Sequence, residues 1–374
     1  MPAMKVNNVH TRTLVPAPEA RAVDIIDQTA LPHEYRVLRL TTLEETAHAI
    51  RSMQVRGAPL IGVTAAYGLA LVLQQNPDDA TLASAVATLA TTRPTAVNLH
   101  WALAHMQARL LPLDPGERAD AAWQEAGAIA EEDAAQCRRI GEHGKALLRP
   151  LAEKRGHLNI MTHCNAGWLA TVDFGTALAP VYAAFDSGID VRVWVSETRP
   201  RNQGLLTAWE LTQHGVPHTL FADNAAGWLL ERKGANAIDA VIVGADRIAA
   251  NGDVANKVGT YLKGLAAHEA RVPFLVAAPR STIDFDCASG MEIPIEERSG
   301  DELRVVRGLT GEDDSSGQPG SPGSLRQLPP DEQVANPAFD ITSARFVTAI
   351  ITERGSAPAT AEGLRKLYPE DRHA

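Results

Sequence analysis

The apolar positions of this chain fall into two textures. From Thr42 to about Leu148 they recur mostly at helical spacing, with alanine-rich stretches at 80–91, 98–111 and 118–148. Asp78 and Asp79 stand ahead of the first stretch as a cap and a first-turn charge, and Pro94 and Pro112 punctuate the pattern. The uncharged stretch 58–73 contains Pro59, Gly62 and Gly68 and falls short of the roughly 20 residues that span a bilayer, so it predicts a buried helix. After Arg155 the pattern changes to short β-rich runs at 157–162, 191–195, 218–222, 240–244 and 273–278, each followed by Gly, Asn or another turn former and then, in most cases, by an Ala/Leu-rich helical stretch. That alternation predicts parallel βαβ units in a doubly wound α/β sheet. Two domains are therefore expected: 1–150, mainly helical, and 151–374, built on the sheet.

In doubly wound sheets, ligands bind at the carboxyl ends of the strands. Cys164, the polar run 197–203, Asp223 and Asp246 each follow one of the predicted strands, so they are expected along one crevice. The segment 311–333 holds four Gly, four Ser, four Pro and five acidic residues among its 23 positions, and is expected to be a mobile surface loop.

Composition narrows the function classes. The 374 residues are 45% hydrophobic and 21% charged, enough apolar material for a sizeable core. A net charge of −10 disfavours a broad nucleic-acid or anionic-membrane footprint and leaves room for a local anion pocket. Cys137, Cys164 and Cys287 are too scattered for a disulfide framework or a paired zinc motif, which points to a reducing cytoplasm, and the first 14 residues lack the apolar core of a secretory signal.

Four segments offer chemistry. In Thr162-His163-Cys164-Asn165-Ala166-Gly167 a strand hands over to a turn, where exposed backbone donors stabilise a thiolate or an anion; alone, Cys164 reads equally as a small buried hydrophobe. Asp246, in Gly244-Ala245-Asp246-Arg247, is either a turn cap or an acid–base group, and Asn256-Lys257 opens a helical pattern with an amide and a cation suited to phosphate. The run 196–204 packs Glu197, Arg199, Arg201, Asn202 and Gln203 into one loop, as a surface ion-pair cluster or as arms for a sugar or phosphate. Arg56-Gly57-Ala58-Pro59 sets a cation beside a helix start, and Arg93 sits in a rigid turn with Pro94.

Together these motifs resemble the methylthioribose-1-phosphate isomerase family, aldose–ketose isomerases of methionine salvage. The resemblance runs through nearly the whole chain, from Asp27-Gln28 and Leu31-Pro32 to Asn336-Pro337-Ala338-Phe339-Asp340. It implies a helical N-terminal domain, a Rossmann-like C-terminal domain, a homodimer, a phosphosugar substrate and a site without metal or organic cofactor. Residue by residue it implies catalysis by Cys164 and Asp246, and substrate binding by Arg56, Gly57, Ala58, Arg93, Gln203, Asn256 and Lys257. The implied reaction opens the ring of a ribose 1-phosphate and moves hydrogen from C2 to C1, by proton transfer or by hydride shift.

The wider group also holds regulatory subunits of a translation-initiation exchange factor and ribose-1,5-bisphosphate isomerases. A non-catalytic phosphosugar or nucleotide binder is thus the competing class, and 5-deoxyribose 1-phosphate or ribose 1,5-bisphosphate the competing substrates. Two departures from the family pattern stand out. Ala225 replaces a customary Met and is expected to widen the pocket for the 5-substituent, and 311–333 looks inserted.

Overall fold

The computed structural model describes residues 4–94, 96–311 and 320–371. A small hairpin, β1 (Lys5–Val6) and β2 (Val9–His10), precedes an antiparallel sheet of β3 (Leu14–Ala17), β4 (Ala22–Ile26) and β5 (Val37–Leu40). Then come α1 (Leu43–Arg51), α2 (Ala58–Leu73), α3 (Asp79–Ala90), α4 (Val97–Leu110) and α5 (Pro115–Arg155). The strands at 14–40 lie within the region expected to be mainly helical; each is only four or five residues long, too short to leave a clear alternation.

Helix α2 is apolar all round and is correspondingly buried on every side, packed against α1, α3, α4 and α5. Asp78 caps α3 as expected, its carboxylate accepting from Thr81 N at 2.7 Å. Helix α5 is 41 residues long, passes through Pro150 and ends at Gly156 in the left-handed conformation. Its Ala122, Ala126 and Ile129 join the core around α2, while Cys137, Ile140 and Leu148 join the core beneath the large sheet. The boundary expected at 150 therefore falls inside one helix that belongs to both cores.

The second half alternates as the sequence predicts: β6 (Leu158–Thr162), α6 (Ala179–Asp186), β7 (Val191–Ser196), α7 (Gln203–His214), β8 (His218–Phe221), α8 (Ala226–Glu231) and β9 (Ala240–Val243). β10 (Arg247–Ala249), β11 (Val254–Lys257), α9 (Thr260–Ala270), β12 (Phe274–Ala277) and β13 (Ile283–Asp284) follow. The chain ends with α10 (Asp301–Arg304), β14 (Val305–Thr310), β15 (Ser321–Arg326), β16 (Phe339–Thr342), β17 (Ala349–Thr352), β18 (Gly355–Ala357) and α11 (Ala361–Leu367).

The seven-stranded sheet has the order β18-β17-β12-β9-β6-β7-β8, parallel except for the edge strand β18. From β6 the chain winds one way through β7 and β8, then returns to β9 and winds the other way through β12 and β17. The topological switch point lies between β6 and β9, where the crossovers diverge and a crevice opens at the carboxyl ends. A smaller sheet, β13-β10-β11-β16, stands over that end.

The expectation of a mobile loop over 311–333 is corrected in part. Ser321–Arg326 is a strand paired antiparallel with Val305–Thr310, a largely exposed ribbon held by backbone bonds, which its Gly/Ser/Pro composition concealed. Residues 312–319 lie outside the described residues.

Candidate functional site

Strands β6 and β9 deliver Cys164 and Asp246 to the two sides of the switch point, and both line one cavity of about 130 Å³. Arg56, Gly57, Ala58, Arg93, Gln203, Asn256 and Lys257 line the same cavity. Every residue that the family resemblance implies for the site therefore lines one cavity, between the helical half and the sheet. Arg201, from the polar run 196–204, lines it too, as do His163, Asn165, Thr176, Thr282 and Arg298, which were not selected as site residues in the sequence.

Each side chain has a local reason for its position. Cys164 adopts φ 66°, a left-handed turn that ends β6; its N–H donates to Thr198 Oγ1 at 2.9 Å and its carbonyl accepts from Thr207 Oγ1 at 2.8 Å. Gly57 caps α2 with φ 96° and without a side-chain cap, and a Cβ there would overlap the Ala170 backbone. Helix α4 likewise starts at Ala96 without a side-chain cap. Two helix starts without side-chain caps thus flank the cavity, each beside a half-buried arginine.

Arg56 Nε donates to Gln28 Oε1 at 3.3 Å, and Gln28 is fixed by donating to Leu169 O at 2.7 Å. Arg56 Nη2 and Arg93 Nε are buried without partners, as is Gln203 Oε1. Lys257 donates to Ala338 O at 2.7 Å and lies 4.8 Å from the centre of the Phe339 ring. Asn256 Nδ2 donates to Thr260 Oγ1 at 3.0 Å, and Asn256 and Lys257 of β11 face Asp340 and Phe339 of β16.

The electrostatics follow from burial. Desolvation pushes the Cys164 thiol up, against the pull of Lys257 and Arg56, and pushes the Asp246 carboxyl up, against Lys257 and Arg93. Burial pushes Lys257 and Arg93 down, and Arg56 down to about 10. The cavity thus sets cationic side chains beside a thiol and a carboxyl whose ionised forms burial disfavours. Among the described residues no group of three or more His, Cys, Asp or Glu side chains is arranged to hold a metal ion.

Two expectations are corrected. Asp223 does not line the cavity; its carboxylate accepts from Ser196 Oγ, from Thr198 N at 2.9 Å and from Arg199 N at 2.7 Å, bracing the loop behind Cys164. Ala225 packs beside the core of β9 and β12 and does not line the cavity, so its small size widens nothing there. The half-buried Asp340 of the Asn-Pro-Ala-Phe-Asp motif caps α9, accepting from Gly259 N at 2.6 Å and Tyr261 N at 3.0 Å.

At the switch point of a Rossmann-like sheet, Arg56, Arg93 and Lys257 give one cavity a cationic wall. The chain belongs to the initiation factor 2 subunit family, whose model matches residues 54–359. It is 66% identical over 369 residues to a methylthioribose-1-phosphate isomerase of Dechloromonas aromatica, covering 98% of this chain and 99% of the relative. It is 57% identical to one of Methylobacterium nodulans, covering 99% and 100%. The crystal structure of a 5-methylthioribose 1-phosphate isomerase from Pyrococcus horikoshii superposes with a TM-score of 0.81 at 39% identity, covering 98% and 97% of the two chains. A structure titled translation initiation factor eIF-2B, subunit delta, from A. fulgidus gives 0.77 at 37% identity, covering 95% and 98%.

Proposed function

We propose that this chain is an aldose–ketose isomerase that converts 5-methylthioribose 1-phosphate into 5-methylthioribulose 1-phosphate in methionine salvage. Full-length relatives at 57 and 66% identity carry that activity in their names. The observation that carries the reading to this chain is the convergence of Cys164 and Asp246 with Arg56, Arg93 and Lys257 on one cavity.

In the proposed mechanism Arg56, Arg93, Lys257 and the free donors at the starts of α2 and α4 hold the phosphate, while Gln203 and Asn256 hold the sugar. The C1–O4 bond breaks as the ring opens, O4 gains the proton that O2 gives up, and Asp246 carries that proton. Cys164 takes the hydrogen of C2 as a proton and returns it to C1, leaving the ketone at C2. The cationic wall stabilises the enolate-like intermediate. The partner is thus a small phosphosugar, and the protein works as a homodimer in the cytoplasm.

The test is NMR of 5-methylthioribose 1-phosphate incubated with the protein in deuterated water. Ribulose product from the native chain, and loss of turnover in Cys164→Ser and Asp246→Asn with the fold intact, is the expected result. Deuterium at C1 supports proton transfer, whereas retention of a C2 deuteron in ordinary water favours the hydride shift. Binding without turnover, indifferent to both substitutions, would move the protein to the regulatory-binder class.

A further inference from the structure

Acceptors and donors are unevenly distributed around the cavity. The helical half supplies unpartnered donors, Arg56 Nη2 and Arg93 Nε, whereas the loop after β6 and the first residue of α7 supply unpartnered acceptors, Asn165 Oδ1 and Gln203 Oε1. Asn165 follows Cys164 directly, lines the cavity and is only 9% exposed.

The orientation of its amide is dictated from behind. Nδ2 donates to Glu210 Oε1 at 2.7 Å and contacts Thr207 Oγ1 at 3.2 Å. Glu210, wholly buried on α7 and outside the cavity wall, also accepts from Trp168 N at 2.9 Å, Leu169 N at 3.1 Å and Tyr182 OH at 3.0 Å. A Cβ at Gly167 would overlap its carboxylate, so the loop lies directly on it. Above about pH 7 the Glu210 carboxyl is ionised and only accepts, hence Nδ2 must face it there, and Oδ1, which diverges from Nδ2 across the planar amide, faces the other way.

We infer that Asn165 is a substrate-binding residue whose Oδ1 accepts a hydrogen bond from a sugar hydroxyl, with Glu210 as the positioning residue that holds the amide in that orientation; the assignment rests on the phosphosugar reading above. Oδ1 has nothing to offer a phosphate, which is itself an acceptor, so its counterpart is one of the ring hydroxyls. The substrate then lies with its phosphate toward Arg56 and Arg93 and its hydroxyls toward the carboxyl ends of β6 and β7. A buried, unmatched acceptor is unfavourable until such a donor arrives, which discriminates against ligands lacking it.

The test is calorimetric binding in a Cys164→Ser background, comparing Asn165 with Asn165→Ala. The probes are 5-methylthioribose 1-phosphate, its 2-deoxy and 3-deoxy analogues, and inorganic phosphate. Asn165→Ala is expected to weaken the parent sugar about 10- to 100-fold, leave inorganic phosphate within about twofold, and lose its penalty with one deoxy analogue. A second variant, Glu210→Gln in the same background, lets the amide turn over and is expected to erase the same discrimination while the chain stays folded. An equal penalty on all four probes, or none, overturns the role of Asn165. Failure of every sugar phosphate to bind when Asn165 is intact instead overturns the phosphosugar reading, and this inference with it.

Discussion

His163 Nε2 lies 2.8 Å from the carbonyl oxygen of Val258 and ties the Cys164 turn to the segment that presents Asn256 and Lys257. Burial, and then the charge of Lys263, push His163 protonation far below the usual imidazole range, so the ring is neutral and Nε2–H donates. The bond therefore joins the loop after β6 to the end of β11, the two segments from which Cys164 and Lys257 face the same cavity.

Removing that tie is expected to loosen the register between thiol and cation. His163→Ala leaves the Val258 carbonyl unmatched, at about 1–3 kcal/mol of stability, and lowers kcat about 10- to 100-fold with a smaller change in KM. His163→Gln keeps an N–H donor and is expected to recover part of both. Denaturant melts and steady-state kinetics on the two variants check this; equal kcat in His163→Ala and the native chain would sink it.

Glu210 gives the protein a pH signature. Burial raises its carboxyl to about 7 from an ordinary 4.5, despite the donors from Asn165, Leu169, Tyr182 and Trp168. The folded state thus holds a proton that the unfolded chain releases at lower pH. Its contribution to stability is fully present below about 4.5 and is lost as pH rises through about 7, at up to about 1.4 kcal/mol per pH unit. Asp133, also pushed to about 7 by burial, acts in the same direction, whereas His163, pushed down, acts in the opposite one. The clean quantity is the difference between the native chain and Glu210→Gln. From pH 5 to 7.5 the native chain is expected to lose stability relative to the variant, and parallel pH curves would contradict the assignment.

The central parallel strands β9 and β12 were legible because their continuous apolar runs are buried on both faces, and α2 because it is apolar all round. Strand order was not legible. Nor could sequence show that Asp223 turns away to brace the 196–199 loop, that Asn336 bonds Ser299 and Glu302 at 3.0 and 3.1 Å, or that α5 carries on through Pro150. The site residues stood out as chemically odd residues just after strands or at helix starts. Asn165 and His163 lie inside the same motif as Cys164, yet their roles depend on Glu210 and Val258, which are 45 and 95 positions away and mark themselves by no pattern.

The guanidinium of Arg56 uses its planar fork in two directions: Nε is spent on Gln28, while Nη2 is buried with no protein partner. Arg56→Lys keeps the charge and loses the fork, since one ammonium cannot reach Gln28 and a phosphate in the same geometry. The expected result is a rise of about 10- to 100-fold in KM for the sugar phosphate, and a similar weakening of inorganic phosphate as an inhibitor. Unchanged inhibition by phosphate would remove Arg56 from the anion cradle.

Gly57 is the most demanding backbone position in the cradle. Its φ of 96° lies where an L side chain is strained, and a Cβ would collide with the Ala170 backbone, not with a side chain that can swing away. Gly57→Ala must therefore shift either the start of α2 or the 168–170 turn. A shift of α2 moves Arg56 and the free donors beside it; a shift of the turn moves Leu169, whose carbonyl holds Gln28 and whose N–H bonds Glu210. Both routes reach the cavity, so the substitution is expected to cost about 1–3 kcal/mol of stability and at least about tenfold in kcat/KM. Gly156→Ala serves as the control: that residue also has positive φ, 78°, but a Cβ there meets nothing within 4 Å. It is expected to lose stability through strain alone while kcat/KM stays within about twofold. Equal kinetic losses in the two variants would mean that the effect of Gly57→Ala is general destabilisation, with no specific displacement of the anion cradle.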